Sequence, residues 1–187
     1  MTRIIAGTYG GRRLAAPAGA RTRPTSDRVR EALFSSLEAM TDLSGARFAD
    51  LYAGSGAVGL EALSRGAHHA LLVESEPRAA RVIRGNIAAL GVGAVARLVT
   101  GTVNQVVWGP RDGDPYGVVF ADPPYTVSDD EVMGVQRALV AGGWLTADAV
   151  VVIERATRTP PVTWVDGITG ERSRRYGETT LWYGRRS

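Results

Sequence analysis

Two short stretches hold residue types that can do chemistry. In Val118-Val119-Phe120-Ala121-Asp122-Pro123-Pro124-Tyr125 an apolar run meets an acid, two prolines and an aromatic. The run is β-branched and aromatic and reads as a buried strand. Each proline fixes φ and lacks an N–H, and the second forces the residue before it to be extended. The strand therefore stops at Asp122 and hands over to a stiff loop. Carbonyls without ladder partners, a carboxylate and an aromatic face are then gathered at a strand end. That set can accept hydrogen bonds from an amine and stack on a planar ring. Taken alone, the same residues also make an acidic turn with a proline stop.

The second stretch is Phe48-Ala49-Asp50-Leu51-Tyr52-Ala53-Gly54-Ser55-Gly56-Ala57-Val58-Gly59, whose glycines form G-x-G-x-x-G between a strand and a helix. Glycine permits a sharp turn and lets a ligand approach the backbone. The next strand ends in Glu74, where a carboxylate can accept hydrogen bonds from the two hydroxyls of a ribose. An adenosine-containing cofactor across the ends of these two strands is the expectation. The spacing also suits a nicotinamide dinucleotide. Against that, Asp50 sits where a pyrophosphate would meet negative charge, and a carboxylate there suits an ammonium group. Hydride transfer also gives no reason for the Asp-Pro-Pro-Tyr loop.

These stretches need a frame, and the sequence supplies one. Strands are expected at Ala46–Tyr52, His69–Glu74, Val95–Gly101, Tyr116–Ala121 and Ala149–Glu154. Helices are expected at Val58–Arg65, Pro77–Leu90, Val103–Trp108 and Ser128–Ala141. This alternation implies a mostly parallel sheet covered on both faces. Trp164–Ile168, Arg172–Tyr176 and Thr179–Tyr183 read as short strands, with an antiparallel hairpin at the sheet edge. Ahead of the sheet, Arg3–Tyr9 and Arg12–Leu14 around Gly10-Gly11 read as a β-hairpin too small to stand alone. Ala15–Ala20 reads as a linker. Thr25 or Ser26 caps a helix whose Val29, Leu33, Phe34, Leu37 and Met40 form one buried face, with Arg28 and Arg30 projecting elsewhere. The organisation expected is a basic extension over residues 1–24 and a main domain over 25–187.

The chain of 187 residues has 44% apolar residues, enough for one full core, and no cysteine, which removes disulfides and thiolate chemistry. With two adjacent histidines and no cysteine, no metal site is expected. No apolar run reaches membrane-spanning length and the first residues lack a signal-peptide core, so a cytoplasmic protein without membrane contact is expected. The net charge of +3 hides an asymmetry. Residues 1–30 carry seven arginines against Asp27, residues 31–154 carry eight against fifteen acids, and residues 155–187 carry seven against three. Basic flanks suit a phosphate backbone as well as a solvated face. His68, His69, Trp108 and Trp144 are read as surface or packing residues. One of Trp182 and Tyr183 is expected in the core. Arg172, Arg174 and Arg175 suit an RNA surface or a solvated turn equally.

Asp50-Leu51-Tyr52-Ala53-Gly54-Ser55-Gly56, Glu74 and Asp122-Pro123-Pro124-Tyr125, in that order, resemble the class I S-adenosylmethionine-dependent methyltransferases that modify exocyclic amines. Arg3-Ile4-Ile5-Ala6-Gly7, Gly11-Arg12-Arg13-Leu14 and Arg23-Pro24-Thr25-Ser26-Asp27-Arg28-Val29-Arg30-Glu31 are similar to the bacterial RsmD family. That family methylates N2 of a guanine, labelled 966, in 16S ribosomal RNA. The resemblance runs from Arg3 to Tyr183. It implies a Rossmann-like fold with a seven-stranded sheet and no metal. S-adenosylmethionine would be the cofactor and S-adenosylhomocysteine the product. It implies Asp50, Ala53, Gly54 and Gly56 at the methionine end of the cofactor, Tyr52 also against the cofactor, Glu74 on the ribose and Ser75 beside the adenine. Thr102 stands where such enzymes often carry an acid. Asp122, Pro123, Pro124 and Tyr125 would receive the target base, with Asp122 also beside the cofactor. Arg3, Arg12, Arg13, Arg21, Arg23 and Arg28 would hold RNA, in an assembled or partly assembled small subunit, with the protein a monomer. The rival readings are another RNA or DNA amine as target, a nicotinamide-dependent oxidoreductase, and a non-catalytic RNA-binding module.

Overall fold

A computed structural model of the chain describes residues 2–18 and 26–187. Arg21, Arg23, Thr25 and part of the expected linker lie outside the described residues. The elements are β1 (Thr2–Arg3), β2 (Arg13–Leu14), α1 (Asp27–Met40), β3 (Arg47–Leu51), α2 (Ala57–Ser64), β4 (His69–Glu74) and α3 (Pro77–Leu90). They continue with β5 (Ala96–Thr100), α4 (Val103–Trp108), β6 (Tyr116–Ala121), α5 (Asp129–Ala141), β7 (Leu145–Ala156), β8 (Ile168–Tyr176) and β9 (Thr179–Arg186).

The main sheet has seven strands in the order β5-β4-β3-β6-β7-β9-β8. Its pairs are parallel from β5 to β7, and β9 alone runs against the rest. Strand alternation divides the core. Phe48, Leu72, Phe120 and Val152 face one layer with the apolar stripes of α1, α2 and α3. Ala49, Leu71, Val119 and Val151 face the other layer with α4 and α5. The strand order reverses at β3, flanked by β4 and β6. In open α/β sheets a ligand crevice forms at the carboxyl ends of strands at such a point.

The small hairpin lies on this domain. Ile4 and Leu14 are buried in the core shared with α1 and α2. The buried carboxylate of Glu61 on α2 accepts the amides of Ile5 and Ala6 at 2.8 and 3.1 Å. It also meets Arg30 Nε at 3.5 Å and Arg65 Nε at 2.9 Å. Arg30, expected to project away from the apolar face of α1, is thereby buried, being only 1% exposed. Its partner Glu61 sits 31 positions away on another helix, out of reach of a local pattern.

The tail also differs from expectation. No strand forms over 164–167; β8 starts at Ile168 and runs through a register shift between Gly170 and Arg172. Trp164 instead lays its ring against Gly170 and Gly184, where a Cβ on either glycine would collide with it. Strand β7 starts earlier than expected, at Leu145. Trp108 is not packed but exposed, while Trp144 and Tyr183 are buried. His68 is exposed, and the half-buried His69 ring lies 6.1 Å from Tyr116.

Candidate active site

The residues singled out by spacing converge at the carboxyl ends of β3, β4 and β6. β3 pairs with both neighbours, so its last residue, Leu51, lies beside Val73 of β4 and Ala121 of β6. The amide of Ala53 continues the first pairing to Val73 O at 2.9 Å, and that of Asp122 extends the second to Leu51 O at 3.3 Å. Both candidate loops thus leave the sheet from one row.

Tyr52 opens the glycine loop with φ of 63°, an uncommon conformation for a side-chain-bearing residue. Its half-buried ring lines a small apolar cavity with Pro123, Ala121 and Val132, joining the two loops. Burial, then Glu131, pushes its hydroxyl pKa up to about 12. Gly54 and Gly56 both adopt left-handed φ, at 61° and 82°. A Cβ on Gly54 would meet nothing within 4 Å, so that face of the loop is open to a ligand. Gly59 is needed for another reason, since its Cβ would come 3.0 Å from Leu72 and 3.2 Å from Asp50. There the helix packs directly on the sheet.

Glu74 is half-buried, and its carboxylate accepts the amide of Gly54 at 2.8 Å and that of Glu76 at 2.9 Å. Two charge-assisted bonds fix it at the loop's rim while leaving acceptor capacity. Ser75 follows it and is exposed. Thr102 is drawn in because Gly101 N donates to Glu74 O at 3.0 Å. Its hydroxyl caps α4 by accepting Gln105 N at 3.1 Å, and its own amide is held by Gln105 Oε1. Its hydroxyl proton is the group left to offer a ligand.

Asp50 is placed beneath the first turn of α2, not on the loop's open face. It is buried, and Oδ2 accepts Gly59 N at 2.9 Å. Burial, followed by repulsion from Glu74 and Glu154, raises its pKa from 3.8 to about 8, against the lowering effect of the Gly59 bond.

On β6's side, Pro123 is buried and Pro124 exposed, and Tyr125 is 84% exposed. Its ring is thus open to solvent at the tip of the loop. The loop beneath it is fixed. Val127 N donates to Pro124 O at 2.9 Å. The buried Arg155, on β7, donates to Val127 O at 3.0 Å and Asp129 Oδ1 at 3.2 Å. Arg155 was missed by sequence reasoning, although a charge directly after the apolar run Ala149–Glu154 is a readable signal. Asn86 was also missed. It is buried on α3, where its amide reaches Ser55 O in the glycine loop and the backbone of Ala15. A polar residue among Ala79, Ala80, Ile83 and Leu90 on a buried helix face is the sign of such a role.

The candidate RNA arginines do not all gather here. The hairpin turn is bonded to Ser64 through Thr8 and Tyr9, at the end of α2 farthest from the glycine loop. Arg12 donates to Ala89 O at 2.7 Å, at the corresponding end of α3. The length of α2 puts that turn about 12 Å down the helix from the site. Arg3 is exposed and lies 3.5 Å from Asp27, and Arg13 is opposite it in the hairpin. Arg28 is exposed on the first turn of α1.

A family model described as "Conserved hypothetical protein 95" matches residues 2–185. Ribosomal RNA small subunit methyltransferase D of Escherichia coli is 37% identical over 168 residues, covering 87% of this chain and 80% of its own. The protein of that name from Haemophilus influenzae is 32% identical over 162 residues, covering 86% and 82%. This chain belongs to the RsmD family. The solved Escherichia coli protein yhhF aligns over 100% of this chain and 98% of its own, with 32% identity and a TM-score of 0.86. Thermus thermophilus protein TTHA0928 aligns over 98% of each chain, with 33% identity and a TM-score of 0.76. This chain therefore shares its fold with these solved relatives over nearly its whole length.

Proposed function

We propose that this chain transfers a methyl group from S-adenosylmethionine to N2 of a guanine, 966 in the family's labelling, in 16S ribosomal RNA. The observation that carries the reading is the shared row of Leu51, Val73 and Ala121, which sets the open glycine loop beside the Asp122–Tyr125 loop. The names of the relatives supply ribosomal RNA as the substrate class.

The residues present fit the cofactor. Gly54 leaves open space above a backbone turn, and Glu74 is held at the rim with acceptor capacity for ribose hydroxyls. Ala53, Gly54 and Gly56 would line the methionine end, and Thr102 would approach the adenine. Asp50 supports the loop from below, its carboxyl group accepting Gly59 N in the first turn of α2. When bound, S-adenosylmethionine supplies an electrophilic methyl on sulfur and is left as S-adenosylhomocysteine.

The chain's own task is to make a poor nucleophile attack. The amine lone pair of guanine N2 is delocalised into the ring. The Asp122 carboxylate and the Pro123 carbonyl accept its two N–H bonds, aligning the nitrogen and favouring the positive charge that develops on it. Tyr125 stacks on the extruded base. The proton lost from the methylated nitrogen goes to Asp122 or to water. A target in a loop can be splayed out at low cost.

The test is transfer of labelled methyl to ribosomal RNA from cells lacking this protein, with mapping of the labelled nucleotide. It should compare naked RNA, small subunits and whole ribosomes. Label at one guanine N2 of the small-subunit RNA is expected. Label on an adenine or cytosine amine, or on DNA alone, would replace the substrate while keeping the chemistry.

A further inference from the structure

We propose that the β8–β9 hairpin, with the loop leaving β7, forms a second RNA-contacting surface that grips phosphates beside the target nucleotide. The inference rests on the ribosomal RNA reading above.

Strand β8 is the outer edge of the sheet and runs parallel to β7, so its last residues lie at the carboxyl end that holds the site. Those residues are Arg174, Arg175 and Tyr176, and both arginines are exposed. The next turn begins β9 at Thr179, which stands opposite Ala156 at the end of β7. One residue earlier on β7, Arg155 holds the exit of the Asp122–Tyr125 loop. At the usual strand spacing, β8 lies about 14 Å from β6, within reach of nucleotides flanking a base held there.

The turn is laced into a fixed shape. Thr157 donates to Glu178 O at 2.8 Å through its amide and to Gly177 O at 3.1 Å through its hydroxyl. This sets the exposed Arg158 beside the turn. Arg175 Nε also donates to Gly177 O, at 3.1 Å. Helix α1 is tied along the same hairpin by Arg172 to Ser36 O at 3.5 Å and Arg185 to Met40 O at 3.2 Å. Both contacts are on the later part of α1, so its first turn, with exposed Arg28, extends toward the same end. Arg28, Arg158, Arg174 and Arg175 thus rim one end of the molecule.

The competing explanation is that charge on β8 merely guards an open sheet edge. Edge protection does not require one sign or one end. Glu171, the acid of β8, is committed to Arg185 at 2.7 Å, near the opposite end. Glu178 is the acid of the turn itself, one carboxylate against Arg158, Arg174 and Arg175. A local excess of one sign, held on a fixed turn, fits a polyanion.

The experiment compares wild type, Arg174→Glu/Arg175→Glu, Arg174→Lys/Arg175→Lys, and Arg137→Glu, an exposed charge reversal on α5, half the charge change of the pair, as a control for charge placed elsewhere. Affinity for small-subunit RNA is measured against salt, together with methyl transfer and cofactor affinity. The glutamate pair should raise KM for RNA about tenfold and lower the salt slope by about 1.5 to 2, the loss of two phosphate contacts. Cofactor affinity and kcat should stay unchanged. The lysine pair should keep the wild-type slope, and Arg137→Glu should leave it nearly unaltered. Wild-type KM and slope in the glutamate pair, with methylation intact, would overturn this surface and leave the function standing. No methylation by any form, but a reduced slope in the glutamate pair, would overturn the function and keep the surface.

Discussion

The side-chain amide of Asn86 donates to Ser55 O at 3.0 Å and to Ala15 O at 3.0 Å, and accepts Ala15 N at 2.8 Å. One buried side chain thereby joins the glycine loop to the segment that follows the hairpin. Asn86→Ala leaves these backbone groups without their partner, at a cost of about 1–3 kcal/mol. We expect a lower melting temperature and weaker cofactor binding, read by calorimetry. Asn86→Asp keeps an acceptor for Ala15 N but loses both donated bonds, so it should resemble the alanine variant. Full cofactor affinity in both would remove Asn86 from the loop's support.

The hairpin should prove structural as well as basic. Its removal exposes the faces that cover Ile4 and Leu14, worth about 1.5–3 kcal/mol per side chain. It also strips two amides from the buried Glu61 carboxylate. Deleting residues 2–14 should therefore lower stability and cofactor binding along with RNA methylation. A deletion that retains the wild-type melting temperature and cofactor affinity would show the hairpin to be detachable.

Asp50 makes a pH prediction. Its folded pKa, about 8, lies above the ordinary 3.8, so between those values the folded state holds more protons than the unfolded one. The contribution of Asp50 to stability is thus fully present below about pH 4 and is lost as pH rises toward 8. Asp50→Asn retains an acceptor for Gly59 N and has no charge to bury. The stability of wild type minus that of Asp50→Asn should fall steadily from pH 4 to 8. A flat difference would mean that Asp50 ionises normally.

Arg155 should act through the loop it holds. Arg155→Met forfeits bonds to Val127 O and Asp129 and should lower kcat/KM for RNA while sparing cofactor affinity. In a Tyr125→Ala background the same change should add little, because the ring that the loop presents is already gone. Additive losses in the double variant would instead assign Arg155 to general stability.

Much of this was legible in the sequence because it is local. The strand–helix alternation, the glycine turn, Glu74 and the proline stop at Asp122 are each set by neighbours a few positions apart. The long-range partners of Arg30, Asn86 and Arg155 were not legible, since they lie 27 to 71 positions away for Arg30–Arg3, Asn86–Ala15 and Arg155–Val127. Asp50 shows the same limit in a finer form. Its place before the glycines was readable, but strand alternation and the bare Gly59 carry its carboxylate under α2. The bond from Arg12 to Ala89 O was not legible either, since it joins the hairpin turn to the far end of α3.

The most direct test of the account is single-turnover methyl transfer to small-subunit RNA by Asp122→Ala, with cofactor affinity measured on the same protein. Accepting the amine's N–H bonds and steadying its developing charge predicts a rate lower by about two to three orders of magnitude with cofactor binding retained. A wild-type rate from a variant that still binds cofactor would contradict the assignment of Asp122 to the reacting amine.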